Sequence, residues 1–161
     1  MLIMHHLAGE YECKLDDKGR LKLPLQLVRQ IETRGAINFT INRGLEKCLT
    51  MYPQEVWDRV VADFDRLSYY NQKERQFLRY FFGGATHVST DSVDRVNLPK
   101  TLSEWAGVQK EVVLVAMRDK IEIWAKEVYR EMRENELSEY SASELAERVF
   151  ARKINAEDES A

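Results

Sequence analysis

The sequence predicts an α+β protein in which two tandem copies of one small strand–helix–strand module form a β-barrel with flanking helices. Three observations support this fold class. A charged motif is repeated at a fixed spacing, apolar and polar residues alternate as in half-buried strands, and apolar residues recur with helical period between and after the copies. Each copy offers only four short strands, a marginal core. Two copies facing each other would leave no free strand edge.

The repeat is clearest in "DDKGRLKLP" at 16–24 and "DSVDRVNLP" at 91–99. Asp, Arg, Leu and Pro stand at the same offsets in both stretches, 75 positions apart. The similarity is collinear, because "INFTI" at 37–41 aligns with "VVLVA" at 112–116 at the same spacing. It continues into the helix after each copy at a spacing of 72, because the second copy has lost three residues in a turn. Agreement over several segments in the same order indicates an internal duplication.

The duplication predicts four segments along the chain. They are a first module at 7–57, linking helices at 58–83, a second module at 84–129 and a charged helical C-terminal segment at 130–161. In the first module, Tyr11, Cys13 and Leu15 alternate with charged residues, which predicts a half-buried strand before a tight turn. The aromatic residues of the linking region either form a core within the chain or hold subunits together; they are Trp57, Phe64, Phe77 and Phe81.

Composition and charge narrow the function classes. Hydrophobic residues make up 44% of the 161 and charged residues 32%, which is typical of a globular protein. No apolar run approaches the roughly 20 residues of a membrane span. The start "MLIMHHLAGE" lacks a basic region followed by a long apolar stretch, so we expect no signal peptide, no membrane partner and a cytoplasmic location. Residues 126–161 hold six basic and ten acidic residues, so the acidity belongs to that segment and a basic surface elsewhere stays possible.

Catalytic and cofactor motifs are absent from the sequence. It contains neither of the common phosphate-cradling loops, no nucleophile elbow and no metal-ligand spacing, so we predict no metal, no cofactor and no small-molecule substrate. An enzyme would depend on His87, which stands at an outward strand position. Asp16 and Asp91 are each followed four residues later by an Arg that would keep them ionised and unsuited to general-acid chemistry. We therefore predict that the chain is not an enzyme.

The repeated Asp-x-x-x-Arg turn has two interpretations. Each pair either only braces its hairpin, or Asp orients a guanidinium whose planar donors face outward. Such a donor fork matches guanine or phosphate in a bidentate way that Lys cannot copy. Under the second interpretation the DNA-binding candidates are Arg20, Lys18, Lys22, Lys14, Arg95 and Asn97, and the motif-orienting residues are Asp16 and Asp91. More cations surround the first turn, so it would supply more of the phosphate affinity.

At these residues the sequence resembles the MraZ family of bacterial transcriptional regulators, over residues 7 to about 140. The resemblance rests on "GEYECKLDDKGRLKLP", "GGATHVSTDSVDRVNLP" and "KEVVLVAMRDKIEIWAKEVY", in that order. It implies two AbrB-like modules that form a pseudo-twofold swapped-hairpin barrel. It also implies a ring-shaped homo-oligomer that binds double-stranded DNA at direct repeats upstream of the division and cell-wall gene cluster, usually to repress it, in association with the nucleoid.

Carried over by position, the motif residues are Arg20 and Arg95, Asp16 and Asp91, with Lys18 and Lys22 as the basic surroundings of the first motif. The second turn departs from the family by carrying Asp94 where Gly usually precedes Arg. That negative charge weakens the case for a second DNA contact of the same kind. The alternative function is a non-catalytic oligomeric scaffold that binds a protein partner and uses the two turns only as braces.

Overall fold

A computed structural model of the chain describes residues 6–31 and 34–159. These residues form a mixed α and β structure, and the chain divides after Lys126 into two compact units, residues 1–126 and 127–161. Within the described residues, no helix is both long enough and apolar enough to cross a membrane.

The strands and helices of the first unit follow the same order in both modules. The strands are β1 (Leu7–Lys14), β2 (Arg20–Lys22), β3 (Asn38–Arg43), β4 (Leu49–Pro53), β5 (Thr86–Ser89), β6 (Arg95–Asn97), β7 (Glu111–Arg118) and β8 (Lys120–Ala125). The helices are α1 (Leu25–Gln30), α2 (Gln54–Asp63), α3 (Gln72–Gly83) and α4 (Lys100–Trp105), with a 3-10 turn at Phe64–Arg66. Each module therefore has the predicted order of two strands, a short helix and two strands.

Strand pairing interleaves the two modules. Six strands form one antiparallel sheet in the order β1-β7-β8-β4-β3-β5, and β2 pairs with β6 in a separate two-stranded ladder. The order is symmetric with respect to the two modules. If each strand is replaced by its equivalent (β1 by β5, β3 by β7, β4 by β8 and the reverse), the same order is obtained, read from the other edge of the sheet. β7 is an interior strand of the sheet, since it lies between β1 and β8 and buries Val112 and Leu114 completely.

The sheet is not a closed barrel, so that part of the fold prediction is wrong. In the described residues β1 and β5 are its two edges, and a single bridge between Leu15 and Leu21 links the end of β1 to the small ladder. Because β2 and β6 have three residues each and pair with each other, they do not join the two edges. The edge of β1 is covered instead at Ala8, whose N–H donates to Gln30 Oε1 at 3.0 Å and whose carbonyl accepts from Gln30 Nε2 at 3.2 Å.

The alignment of the third strands at a constant spacing of 75 residues is also wrong, by two residues. Cys13 pairs with Val112, and Val88, which is the repeat of Cys13, pairs with Phe39. Phe39 and Val112 are therefore structurally equivalent at a spacing of 73. Since "VVLVAM" is apolar at every position, a period-two pattern fits it equally well two residues away.

The aromatic residues of the linking helices pack within the chain. Trp57 and Phe81 are buried, and their rings stack with centroids 5.2 Å apart. The ring of Phe64 packs edge-on against that of Phe81, with centroids 4.6 Å apart, and Phe77 packs against the cluster that includes Trp57 and Phe81. These residues therefore contribute to a core within the chain.

The second unit consists of α5 (Lys126–Glu139), whose first residue closes the first unit, and α6 (Ala142–Glu159). Ser141 and Glu144 form a capping box at the start of α6: the Glu144 N–H donates to Ser141 Oγ at 3.2 Å, and the Ser141 N–H donates to Glu144 Oε2 at 3.4 Å. The apolar residues Leu145, Val149 and Phe150 of α6 are exposed.

Candidate nucleic-acid interface

The first Asp–Arg turn uses both oxygens of Asp16. Oδ1 accepts the backbone N–H groups of Lys18 at 3.0 Å and Arg20 at 2.9 Å, while Oδ2 accepts the Arg20 Nε–H at 2.6 Å. Gly19 completes the turn with a φ of +74°, a conformation that glycine adopts without steric cost. The predicted orienting role of Asp16 therefore has a direct geometric basis. In the described part of the chain, the two terminal nitrogens of Arg20 have no hydrogen-bond partner.

The second turn reproduces this geometry around Asp91. Its Oδ1 accepts the backbone N–H groups of Val93 at 3.0 Å and Arg95 at 2.9 Å, and its Oδ2 accepts the Arg95 Nε–H at 2.7 Å. Asp94 stands at the position of Gly19 and takes the same left-handed conformation, with a φ of 61°. Aspartate is one of the few non-glycine residues that tolerate this region. Compared with Gly19, Asp94 thus keeps the backbone shape and adds a negative charge.

Both motif aspartates are held in the ionised form. The backbone N–H of Arg95 is the main cause that lowers the pKa of Asp91 to about 2, and the Arg95 guanidinium adds to it. The pKa of Asp16 is lowered for the same reasons by Arg20. A carboxyl group that stays charged at neutral pH does not act as a general acid. Each aspartate therefore serves as a fixed anion that positions one guanidinium.

The β2–β6 ladder brings four predicted site residues onto one surface. Arg20 is paired with Asn97 and Lys22 with Arg95, on either side of the central pair Leu21–Val96. Successive side chains of a strand point to opposite faces, and the central pair is almost completely buried. The other face is solvent-accessible, with Lys22 and Asn97 exposed and the two arginines half-buried. We call this surface the ladder face; it consists of Arg20, Lys22, Arg95 and Asn97.

Backbone hydrogen bonds fasten the two turns to each other. The Leu23 N–H donates to the carbonyl of Asp94 at 2.9 Å, and the Leu98 N–H donates to the carbonyl of Gly19 at 3.2 Å. Each bond joins the end of one module's strand to the turn of the other module. The position of one arginine relative to the other is therefore fixed by the main chain of both copies.

The other two predicted site residues lie outside the ladder face. Lys18 is exposed at the tip of the first turn, next to Gly19, where Val93 stands in the second turn. Lys14 lies at the end of β1, paired with Glu111, and lines a groove of about 170 Å³ together with Glu12 and Lys126. Lys126 Nζ lies 3.8 Å from Glu12 and 3.7 Å from Glu111. Lys14 therefore stands among mixed charges.

The sequence predicted these residues as candidates but did not indicate which of them are neighbours. The pairing of Arg20 with Asn97 and of Lys22 with Arg95 joins strands that occupy equivalent places in the two modules. The duplication itself could have predicted this pairing. If the two modules are related by a twofold axis and two equivalent strands lie next to each other at that axis, the strands pair antiparallel. Across the described ranges, no group of three or more His, Cys, Asp or Glu side chains is arranged to hold a metal ion.

The fold and the turns define a protein with two interleaved modules whose duplicated Asp–Arg turns share one surface. A family model described as "MraZ protein, putative antitoxin-like" matches residues 6–80 and again residues 81–153. The chain is 35% identical to the "Transcriptional regulator MraZ" of Christiangramia forsetii, over 91% of this chain and 94% of that protein. It is 33% identical to that of Flavobacterium psychrophilum, over 91% and 93% of the two chains. It is also 33% identical to the protein of the same name from Syntrophomonas wolfei, over 88% of this chain and 94% of that protein.

The chain therefore belongs to the MraZ family, and the two family matches correspond to the internal duplication. The relatives are named transcriptional regulators, and the family is not an enzyme family. Membership confirms the prediction that the chain is not an enzyme.

Proposed function

We propose that the chain is a sequence-specific DNA-binding transcriptional regulator that contacts double-stranded DNA with the ladder face. The observation that carries the proposal is the antiparallel pairing of β2 with β6, which joins one arginine from each module on a single exposed surface. The names of the relatives support the same role.

The shape of the ladder suits a duplex. The major groove of B-DNA is about 12 Å wide and admits a two-stranded β-ribbon. Asp16 and Asp91 each bind an arginine through Nε, so in the described residues the terminal nitrogens of both arginines have no hydrogen-bond partner and can still donate. Two parallel donors of this kind match the O6 and N7 acceptors of guanine or two phosphate oxygens.

One ladder face covers few base pairs, which is too little for a specific affinity. We propose that the chain assembles as a ring-shaped homo-oligomer that engages direct repeats, so that linked copies gain affinity through effective concentration. The proposed target is the DNA upstream of its own division and cell-wall gene cluster, with repression as the outcome and the nucleoid in the cytoplasm as the location. The proposed modules keep the boundaries 7–57 and 84–129, and their interleaved strands are swapped hairpins of AbrB-like type.

The proposal is tested by fluorescence anisotropy on two labelled duplexes, one with the DNA just upstream of this gene and one with the same bases shuffled. We expect tighter binding to the native duplex, and affinity for both should fall steeply as salt rises, because phosphate contacts release counterions. Weak and equal binding to both duplexes would overturn the proposal that the chain binds DNA.

One observation favours the alternative of a protein-binding scaffold. Every oxygen of Asp16 and Asp91 is engaged inside its own turn, as a purely bracing pair would require. A scaffold with braced turns predicts no salt-sensitive affinity for duplex DNA. It also predicts that Arg20→Ala changes stability and nothing else.

A further inference from the structure

The two ends of the ladder face differ in chemistry although their backbone geometry is the same. Arg20 stands opposite Asn97 at one end, and Arg95 stands opposite Lys22 at the other. A symmetric repeat would place the same pair at both ends, because Lys22 and Asn97 occupy equivalent positions of the two modules. We infer that Asn97 is a specificity-determining residue that reads an adenine next to a guanine read by Arg20, whereas Lys22 and Arg95 hold phosphate. This inference rests on the proposed function.

The spacing of Arg20 and Asn97 suits two neighbouring base pairs. Directly opposite residues of an antiparallel pair have Cβ atoms about 4.5–5.5 Å apart, and stacked bases of one strand are about 3.4 Å apart. Asp16 already holds the Arg20 Nε, so the terminal nitrogens are the donors that remain for the guanine edge. Both side chains project from the same face of the ladder.

The chemistry of Asn97 favours a base over a phosphate. Its carboxamide carries both a donor and an acceptor, whereas phosphate oxygens only accept. The major-groove edge of adenine offers the matching pair, an N6–H donor beside the N7 acceptor. Asn97 is exposed, and its side chain has no hydrogen-bond partner among residues 6–31 and 34–159. Its amide is therefore available to a ligand in the described structure.

The opposite end of the face suits an anion. Lys22 and Arg95 are directly opposed, and like charges in this position weaken a strand pair, so an anion that contacts both would be favoured even though Asp91 already binds the Arg95 Nε–H at 2.7 Å. Lys22 also places a positive charge beside the turn that contains the carboxylate of Asp94. An ammonium has three donors and no acceptor and acts as a compact point charge, which fits a phosphate oxygen. This end would position the chain on DNA without reading its sequence.

The test begins with the full-length protein and a library of duplexes with a randomised centre, from which the wild-type protein selects its preferred site. Anisotropy is then measured for that duplex and for every single base-pair substitution of it, with wild type, Asn97→Ala and Lys22→Ala. A bidentate side chain–base contact discriminates by about 5- to 150-fold. We expect Asn97→Ala to lose this discrimination at one A·T pair adjacent to a G·C pair and to keep it elsewhere.

Lys22→Ala is the matched control, because it removes the equivalent side chain from the other module. It should weaken binding to all duplexes by one common factor and reduce the slope of log affinity against log salt by about 0.9. If wild type selects a site and Asn97→Ala keeps full discrimination at every position, the inference about Asn97 fails and the proposed function stands. If wild type itself shows no preference among duplexes, both are overturned.

Discussion

Leu21 and Val96 are direct partners in the β2–β6 ladder, and they are also equivalent residues of the two modules. Their exposed fractions are 0% and 1%, so the axis that relates the two copies passes through buried apolar side chains. The same relationship recurs in the sheet, where Thr50 of β4 pairs with its equivalent residue Glu122 of β8. These two contacts align the modules so that both arginine turns meet on one surface.

Truncation of Leu21 should therefore destabilise the protein strongly. We expect Leu21→Ala to lower the free energy of unfolding by about 2–5 kcal/mol, since it leaves a cavity at a fully buried position. Urea unfolding followed by circular dichroism measures the change. Leu25→Ala is the matched control, because Leu25 is 58% exposed in α1 and a surface substitution of this kind stays within about 0.5 kcal/mol. Equal effects of the two substitutions would contradict the position of Leu21 at the centre of the core.

Acid should destabilise the turns in a defined pH window. The pKa of Asp91 is about 2 in the folded protein, below its usual value of 3.8. The unfolded chain therefore binds its proton first, and the stabilisation by Asp91, complete above about pH 4, is lost as the pH falls towards 2. In Asp91→Asn this contribution is absent, so the free energy of unfolding should depend less steeply on pH between about 2 and 4.

The measurement is a series of urea titrations between pH 2 and 5 on wild type, Asp91→Asn and the double variant Asp16→Asn/Asp91→Asn. Because the pKa of Asp16 is lowered as well, the double variant should show the flattest dependence of the three. Parallel curves for all three proteins would show that the folded turns do not hold these carboxylates in the charged form.

The sequence predicted local structure well where the residue types themselves determine the geometry of a turn. Asp16 and Arg20 stand four residues apart around a glycine, and their repetition at Asp91 and Arg95 predicted two equal turns, which the structure contains. Long-range pairing was less predictable, because a strand of three residues carries too little pattern to specify a partner in the other module. The register of β7 was misjudged for a related reason, since an entirely apolar strand fits several alignments.

Asp94 should limit the affinity of the second turn for DNA. It keeps the left-handed backbone of its glycine equivalent while adding a carboxylate next to Arg95. Removing one charge a few ångströms from a phosphate is worth about 1 kcal/mol in water, or about fivefold in affinity. We expect Asp94→Gly and Asp94→Asn both to bind the native upstream duplex more tightly, with a gain that shrinks as salt rises.

The two substitutions separate charge from backbone conformation. Asparagine retains the tolerance of aspartate for positive φ, whereas glycine removes the steric cost altogether. Tighter binding by both variants assigns the effect to charge. Tighter binding by Asp94→Gly alone would assign it to the backbone and contradict the electrostatic explanation.

Arg20→Lys tests whether the first turn needs a guanidinium or only a positive charge. In the structure, Arg20 binds Asp16 through Nε at 2.6 Å while its terminal nitrogens remain available, so one side chain serves both the turn and a ligand. A lysine ammonium is a single point charge that cannot pair with Asp16 and present a planar donor fork at once. We expect Arg20→Lys to stay folded by circular dichroism and to lose about tenfold or more in affinity for the native duplex, the value of a bidentate base contact. Its affinity for the shuffled duplex should change far less, because the charge that attracts phosphate is kept. Arg95→Lys, measured in parallel, shows whether the second turn makes the same contact. If Arg20→Lys kept full selectivity for the native duplex over the shuffled one, bidentate reading of a base by Arg20 would be contradicted.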